Sequence, residues 1–126
     1  MLEKEIYSKV LEKLYDGLKT ENHEKFKNDR LAERKFAVKN FYPDIILTKK
    51  GTKDIEFIIE IVIKSHLNKI TLFEKWKPLS EAGPTFYLLV PKEDKQNVEK
   101  WCNEEKLKVR FGTYELKSNN LEINFY

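Results

Sequence analysis

Apolar residues recur every three or four positions over residues 2–19, and this spacing predicts an amphipathic helix. Beyond it, residues 22–41 carry scattered aromatic and aliphatic side chains around the charged segment Asn28-Asp29-Arg30. This pattern predicts one or two strands with a charged connection. The apolar stripe of the predicted helix consists of Ile6, Val10, Leu11, Leu14, Tyr15 and Leu18.

Two β-branched runs, residues 43–48 and 55–63, flank the turn segment Gly51-Thr52-Lys53 and predict an antiparallel hairpin. Residues 55–63 are apolar on both faces of the predicted strand, which is typical of a strand covered on both sides. We therefore expect this second strand to lie in the centre of its sheet.

The second half of the chain predicts a helix over residues 71–81 and a short buried strand over 85–90. Thr71 and Glu74 have the spacing of a capping box, and Gly83-Pro84 ends the helix. A strand, a crossover helix and a strand make a βαβ unit, so the two strands should be parallel. A further helix is predicted over 93–105, and strands are predicted over 107–111 and 121–125. Together these elements predict an α/β fold with a mixed central sheet flanked by helices, in a single domain over residues 1–126.

The composition of the chain limits which partners, compartments and cofactors can be expected. Charged residues make up 36% of the 126 residues, but the net charge is only +3 and the lysines are dispersed, so a nucleic-acid partner is permitted and not required. A single cysteine, Cys102, excludes an internal disulfide and favours the cytoplasm. No phosphate-binding loop or dinucleotide fingerprint is present, so no organic cofactor is expected, and no apolar run is long enough to span a membrane.

Two acids, Asp44 and Glu60, interrupt the apolar runs of the predicted hairpin. Folding the hairpin about its turn pairs Thr48 with Glu56, Ile46 with Ile58 and Asp44 with Glu60. Directly opposed residues of antiparallel strands have Cβ atoms about 4.5–5.5 Å apart, and two carboxylates that close repel unless a cation or a proton lies between them. Because Mg²⁺ prefers carboxylate oxygens, the acid pair predicts a metal site.

The arrangement of Pro43-Asp44, a short hairpin and Glu60 in an apolar strand resembles the PD-(D/E)XK, or restriction-endonuclease-like, nuclease superfamily. The resemblance extends over most of the chain in element order and implies a restriction-endonuclease-like core. It also implies that Mg²⁺ or Mn²⁺ is held by Asp44, Glu60 and the main-chain carbonyl of Ile61, and that the protein hydrolyses DNA phosphodiesters.

The family pattern places a lysine two residues after the second acid, where this chain has Val62. Lys64, on the same face of the predicted strand, is the first substitute for a catalytic lysine, and Lys69 is the second. Members of the superfamily often add an acid from the first helix, for which the chain offers Glu3, Glu5 and Glu12.

Three functions therefore stay open. The first is a Mg²⁺-dependent endonuclease acting on DNA, for which a homodimer would bring two sites to two strands. The second is a catalytically inactive member of the same fold, serving as a nucleic-acid-binding or protein-assembly module. The third is an interaction domain in which Asp44 and Glu60 form salt bridges with lysines and bind no metal. A lysine ammonium within about 4 Å of the acids would favour the first over the second.

Overall fold

A computed structural model describes residues 2–126, which form a six-stranded mixed sheet with helices on both faces. The strands lie side by side in chain order, β1 to β6. The pairs β3–β4 and β4–β5 are parallel, and the outer pairs are antiparallel. The predicted mixed α/β class is confirmed. The strands are β1 His23–Lys27, β2 Ile45–Lys49, β3 Ile55–Ile61, β4 Thr85–Pro91, β5 Arg110–Lys117 and β6 Asn120–Phe125.

Three helices accompany the sheet. Helix α1 spans Glu3–Gly17, and α3 spans Lys95–Glu104 after a 3-10 turn at Lys92–Asp94. Helix α2 spans residues 69–80 and connects β3 to β4, so the predicted parallel βαβ unit is confirmed. A short 3-10 turn, Lys64–His66, lies between β3 and α2.

The sheet separates two apolar clusters, and β3 contributes to both. On one face, Ile58 and Val62, the residue that follows β3, pack with α2 and α3; on the other, Ile59 and Ile61 pack with α1. This confirms that the second hairpin strand is central, and it places α1 across the sheet from α2. Successive side chains of β3 point to opposite faces of the sheet, and both faces are covered. The strand therefore buries apolar surface on both sides, which is typical of a continuous apolar run.

The hairpin register agrees with the prediction near the acids and departs from it near the turn. Ile46 pairs with Ile58, as predicted. A bulge follows Leu47, so Thr48 pairs with Ile55 and not with Glu56. A β-bulge places an extra residue in one strand, and sequence alternation does not reveal it.

Helix α2 begins earlier than the predicted capping box. Asn68 is the N-cap residue, and its side chain accepts a hydrogen bond from the Thr71 N–H at 2.8 Å. The capping-box prediction for Thr71 and Glu74 is therefore wrong, because Thr71 already lies inside the helix. The centre of α2, Leu72–Trp76, is a π-helical turn in which the Lys77 N–H donates to the Leu72 carbonyl.

Two further differences concern strands. The predicted strand over 107–111 begins only at Arg110 and continues to Lys117, so β5 is shifted towards the carboxyl terminus. Residues 22–41 supply β1 and then an irregular segment with a single bridge between Val38 and Phe41. Within the described part of the chain, no helix combines the length and apolar character that crossing a membrane requires.

Candidate functional site

The two acids lie side by side at the end of the hairpin, as the sequence predicts. The pairing of β2 with β3 ends at Ile45–Ile59, so Asp44 directly precedes this last pair on one strand and Glu60 directly follows it on the other. Both carboxylates contact the Arg30 Nη2. Asp44 is fully buried and Glu60 is 2% exposed. Two buried carboxylates in adjacent strands need compensating charge, because leaving water costs an unpaired carboxylate several kcal/mol.

Asp44 receives three donors, each from a different part of the fold. Its Oδ1 accepts the Tyr7 hydroxyl at 2.6 Å, and its Oδ2 accepts the Ile61 N–H and the Arg30 Nη2, both at 2.7 Å. Burial and the neighbouring Glu60 raise the pKa of Asp44, whereas Arg30 and the hydrogen bonds act in the opposite direction. The carboxyl group is therefore held in one orientation by α1, β3 and the segment that follows β1.

Glu60 is compensated by two cations. Its Oε2 lies 3.2 Å from the Arg30 Nη2 and also forms a close ion pair with the Lys75 ammonium. Its other oxygen, Oε1, is buried and has no hydrogen-bond partner among the described residues. An unpartnered carboxylate oxygen in a buried site is a ligand position that a cation can use.

Arg30 is the centre of the cluster. Its Nη2 lies 2.7 Å from Asp44 Oδ2, 3.2 Å from Glu60 Oε2 and 2.6 Å from the Ile61 carbonyl oxygen. Burial opposes its charge, but Asp44 and Glu60 raise the pKa of Arg30 above its usual value. Three oxygen atoms from β3 and the start of the hairpin thus converge on one nitrogen.

The buried side-chain amide of Asn28 fixes the path of the segment that carries Arg30. The Asn28 Nδ2 donates to the carbonyls of Phe36 and Pro43, and its Oδ1 accepts the N–H groups of Lys35 and Phe36, all within 2.7–3.0 Å. The amide group thus makes four hydrogen bonds, two as donor and two as acceptor. The Arg30 N–H also donates to the Tyr7 hydroxyl at 3.2 Å, which ties the segment to α1.

The structure places Lys64 away from the acid pair. Its ammonium forms ion pairs with Glu93 at 2.8 Å and Asp94 at 2.5 Å, and its side chain is half exposed. The chain leaves the strand after Ile61 and enters a 3-10 turn, so strand alternation no longer holds at residue 64. Lys69, the second predicted substitute, is exposed at the start of α2.

Lys75 is the lysine that reaches Glu60. It lies in the π-helical turn of α2, just before Pro78, which has no N–H to donate to the preceding turn of the helix. A π-turn inserts one extra residue into the helix, and such turns are frequent at functional sites. Val62, at the family's lysine position, is buried in the apolar cluster under the same helix.

Of the three first-helix acids, Glu3 lines the groove that also contains Arg30 and His66. Its Oε1 accepts the Ser65 N–H at 2.8 Å and so anchors the turn that follows β3. Glu5 and Glu12 are exposed on α1. Glu3 therefore has a structural role in this arrangement and makes no described contact with Asp44 or Glu60.

His66 lies at the outer edge of the cluster. Its Nδ1 is 3.4 Å from the Arg30 Nη1. Burial, and next the positive charges of Arg30 and Lys75, lower the pKa of His66, so the imidazole is neutral at pH 7. A shallow groove there is lined by Leu2, Lys4, Tyr7, Arg30, Leu31 and His66, with Glu3 and Ile63.

Sequence reasoning missed three members of the site. Tyr7 follows the helical spacing of Leu11 and Leu14, and a buried tyrosine hydroxyl needs a partner, which is a usable signal. Lys75 is three residues after Leu72 and four before Leu79, so it lies on the flank of the apolar stripe of α2. Arg30 lies in an irregular segment without periodicity, and nothing local in its sequence indicates its contacts.

The described residues contain no group of three or more histidines, cysteines or acidic residues able to hold a metal ion. Only two acids meet here, and the third oxygen is a main-chain carbonyl. The fold and the site thus define a mixed α/β protein with a buried carboxylate pair that is ion-paired to an arginine and a lysine. No protein-family model matches the chain, and neither the curated proteins nor the solved structures contain a match.

Proposed function

We propose that the protein is a nuclease-like enzyme with a restriction-endonuclease-like core that hydrolyses DNA phosphodiesters with Mg²⁺ or Mn²⁺. The observation that carries the proposal is the convergence of Asp44 Oδ2, Glu60 Oε2 and the Ile61 carbonyl on a single point, now held by the Arg30 Nη2. All three of these atoms are oxygens, the type of ligand that Mg²⁺ prefers. The single cysteine supports the cytoplasm as its compartment.

The residues present have distinct roles in this proposal. Asp44, Glu60 and the Ile61 carbonyl would hold the metal, which when bound lowers the pKa of a water molecule and polarises a phosphoryl oxygen. Lys75 stabilises negative charge as it develops on the phosphate, the role that Lys64 has in the sequence-based prediction. Its ammonium already lies against Glu60, so it needs little movement to reach a phosphate bound there.

The location of the site agrees with this function. Glu60 and Ile61 lie at the carboxyl end of β3, which pairs in parallel with β4. Ligands of open α/β sheets bind beyond the carboxyl ends of the parallel strands. The groove lined by Arg30, His66 and Ile63 lies just beyond the end of β3, and Arg30 contacts both this groove and the acids.

A second candidate is a non-catalytic module, and one observation favours it. The charges of Asp44 and Glu60 are already balanced by Arg30 and Lys75, so the cluster is neutral without a metal. In that case the four side chains are a structural ion-pair network, and the protein acts by binding nucleic acid or another protein. This candidate predicts no metal uptake at Glu60.

A cleavage assay with variants separates these candidates. Wild type, Glu60→Gln, Lys75→Met and Lys64→Met are incubated with duplex and single-stranded DNA in Mg²⁺ or Mn²⁺. We expect Glu60→Gln and Lys75→Met each to lose roughly 10²–10³-fold in rate, because the first removes a metal ligand and the second removes a charge that stabilises the transition state. Lys64→Met removes the same charge away from the acids and should retain activity within about twofold.

Calorimetric titration with Mn²⁺ shows which step each change affects. Binding should be lost in Glu60→Gln and kept in Lys75→Met. Cleavage that survives in Lys75→Met and disappears in Lys64→Met would reject the assignment of Lys75. Absence of both metal uptake and cleavage in wild type would favour the non-catalytic module.

A further inference from the structure

The Arg30 Nη2 occupies the position that the proposed function gives to a metal ion. It lies within 3.2 Å of the same three oxygens, on Asp44, Glu60 and Ile61. A guanidinium nitrogen and a divalent cation cannot share that position, because both need the same lone pairs and both are positive. Metal binding therefore requires the head group of Arg30 to leave.

The charges of the cluster indicate what else must bind. When both carboxyl groups are ionised, Asp44 and Glu60 carry two negative charges, and Arg30 and Lys75 carry two positive charges. Once the Arg30 head group has left, a divalent cation beside Asp44, Glu60 and Lys75 leaves the buried group with one excess positive charge, and the displaced guanidinium is a second positive charge nearby. This excess is unfavourable where water is excluded. A phosphodiester supplies one negative charge in its ground state and more as it is attacked. Metal and phosphate should therefore bind together.

The surroundings of Arg30 allow its head group to move without its backbone. The Arg30 N–H is bound to Tyr7, and the segment is held by Asn28, so the main chain is anchored. The side chain is 15% exposed, and its Nη1 already faces His66 at the groove. A guanidinium turned into that groove presents two parallel N–H donors, the geometry that binds phosphate oxygens.

We infer that the Arg30 guanidinium exchanges between two partners. Without metal it binds Asp44 and Glu60, and when metal enters the acid site it binds a nucleic-acid phosphate. This inference rests on the proposed function, and it makes metal and nucleic acid bind cooperatively. Arg30 is then the residue that couples the two ligands.

The coupling is measured by titrating Mn²⁺ calorimetrically into the protein with and without a phosphorothioate oligonucleotide, which resists cleavage. For wild type we expect the oligonucleotide to tighten Mn²⁺ binding at least tenfold, and Mn²⁺ to tighten oligonucleotide binding by the same factor. In Arg30→Met, Mn²⁺ alone should bind at least tenfold more tightly than in wild type, because its competitor is gone, and the oligonucleotide should have little further effect.

Arg34→Met is the matched control. Arg34 lies on the same segment, but its guanidinium rests on the Tyr42 ring, 5.5 Å from the ring centroid. Its variant should keep the wild-type Mn²⁺ affinity and the wild-type coupling. Circular dichroism checks the fold of both variants, because Arg30→Met leaves Asp44 without its cation.

The outcomes distinguish this inference from the proposed function. Mn²⁺ binding in wild type that depends on Glu60 but is unaffected by the oligonucleotide would overturn the inference and leave the metal site intact, and this result needs no Arg30 variant. Unchanged Mn²⁺ affinity in a folded Arg30→Met would also overturn it. Absence of Mn²⁺ binding in wild type, in Arg30→Met and in the presence of the oligonucleotide would reject the proposed function as well.

Discussion

At the scale of single residues, the protein buries two carboxylates and pairs them with side chains from three parts of the fold. Tyr7 comes from α1, Arg30 from the segment after β1, and Lys75 from α2. Removing one partner of a buried ion pair usually costs about 3–5 kcal/mol, because it leaves a charge without compensation. The geometry of Asp44 and Glu60 therefore depends on residues far apart in the chain.

The protonation of Asp44 gives a prediction for pH. Burial, and then Glu60, raise its pKa, so a proton competes with a metal for this carboxylate at weakly acidic pH. Mn²⁺ affinity should therefore rise as pH increases from about 5.5 to 8, by up to about tenfold per pH unit below the pKa of Asp44. Titrations at several pH values measure this slope.

Asp44→Asn is the control for that measurement, because the amide does not titrate. Its metal affinity should be weak and nearly independent of pH over the same interval. A wild-type affinity that falls with rising pH, or a slope that persists in Asp44→Asn, would contradict the assignment of the competing proton to Asp44.

At the scale of elements, the antiparallel pairing of β2 with β3 positions the acids, and there are two local irregularities nearby, one in the hairpin and one in α2. The bulge after Leu47 changes the hairpin register away from the acids, and the register at Ile46–Ile58 is kept. The π-turn of α2 carries Lys75. Both irregularities insert a residue into a regular element, which re-aims the neighbouring side chains.

The packing between β5 and β6 offers a test of the sheet. Gly112 lies beneath the Phe125 ring, where an added Cβ would be 2.7 Å from Phe125 Cδ1 and 2.9 Å from Leu89 Cδ1. Leu89 is fully buried and has little room to yield. Gly112→Ala should therefore destabilise the protein by about 1–3 kcal/mol, measured by urea unfolding.

Gly17→Ala is the matched comparison at the end of α1. An added Cβ there meets no heavy atom within 4 Å, so this variant should be neutral or more stable than wild type by up to about 1 kcal/mol. Equal stability of the Gly112 and Gly17 variants would mean that the Phe125 ring moves aside freely and does not constrain the edge of the sheet.

At the scale of the whole molecule, folding should not depend on metal. The positive charges of Arg30 and Lys75 balance Asp44 and Glu60, so the sheet can close without a bound cation. We expect the free energy of unfolding in urea to agree within about 0.5 kcal/mol with and without a chelator. Saturating Mn²⁺ should raise it, since a ligand of the folded state stabilises that state.

The opposite result would be informative. A clear loss of stability in the chelator would mean that a metal belongs to the folded state itself, and that Arg30 does not replace it. The chelated protein should also keep its circular dichroism spectrum, because Arg30 and Lys75 pair with the acids without a metal.

The sequence alone was sufficient for the elements whose signal is local. The helical stripe predicts α1, and the apolar run of residues 55–63 predicts a central strand. The hairpin prediction pairs Ile46 with Ile58 correctly, although the bulge after Leu47 makes its pairing near the turn wrong. These features follow from the periodicity of apolar side chains, which shows whether one face or both faces of an element are buried. Residues close together in the sequence are enough to set that periodicity.

Tertiary structure decided which side chains complete the site. The chain has 24 lysines and arginines, and its pattern does not distinguish Lys75, which reaches Glu60, from Lys64, which pairs with Glu93 and Asp94. Arg30 reaches the acids because Asn28 fixes the path of an irregular segment. Such contacts depend on loop paths and strand ends, where periodicity carries no information, and so only the folded chain brings these charges together.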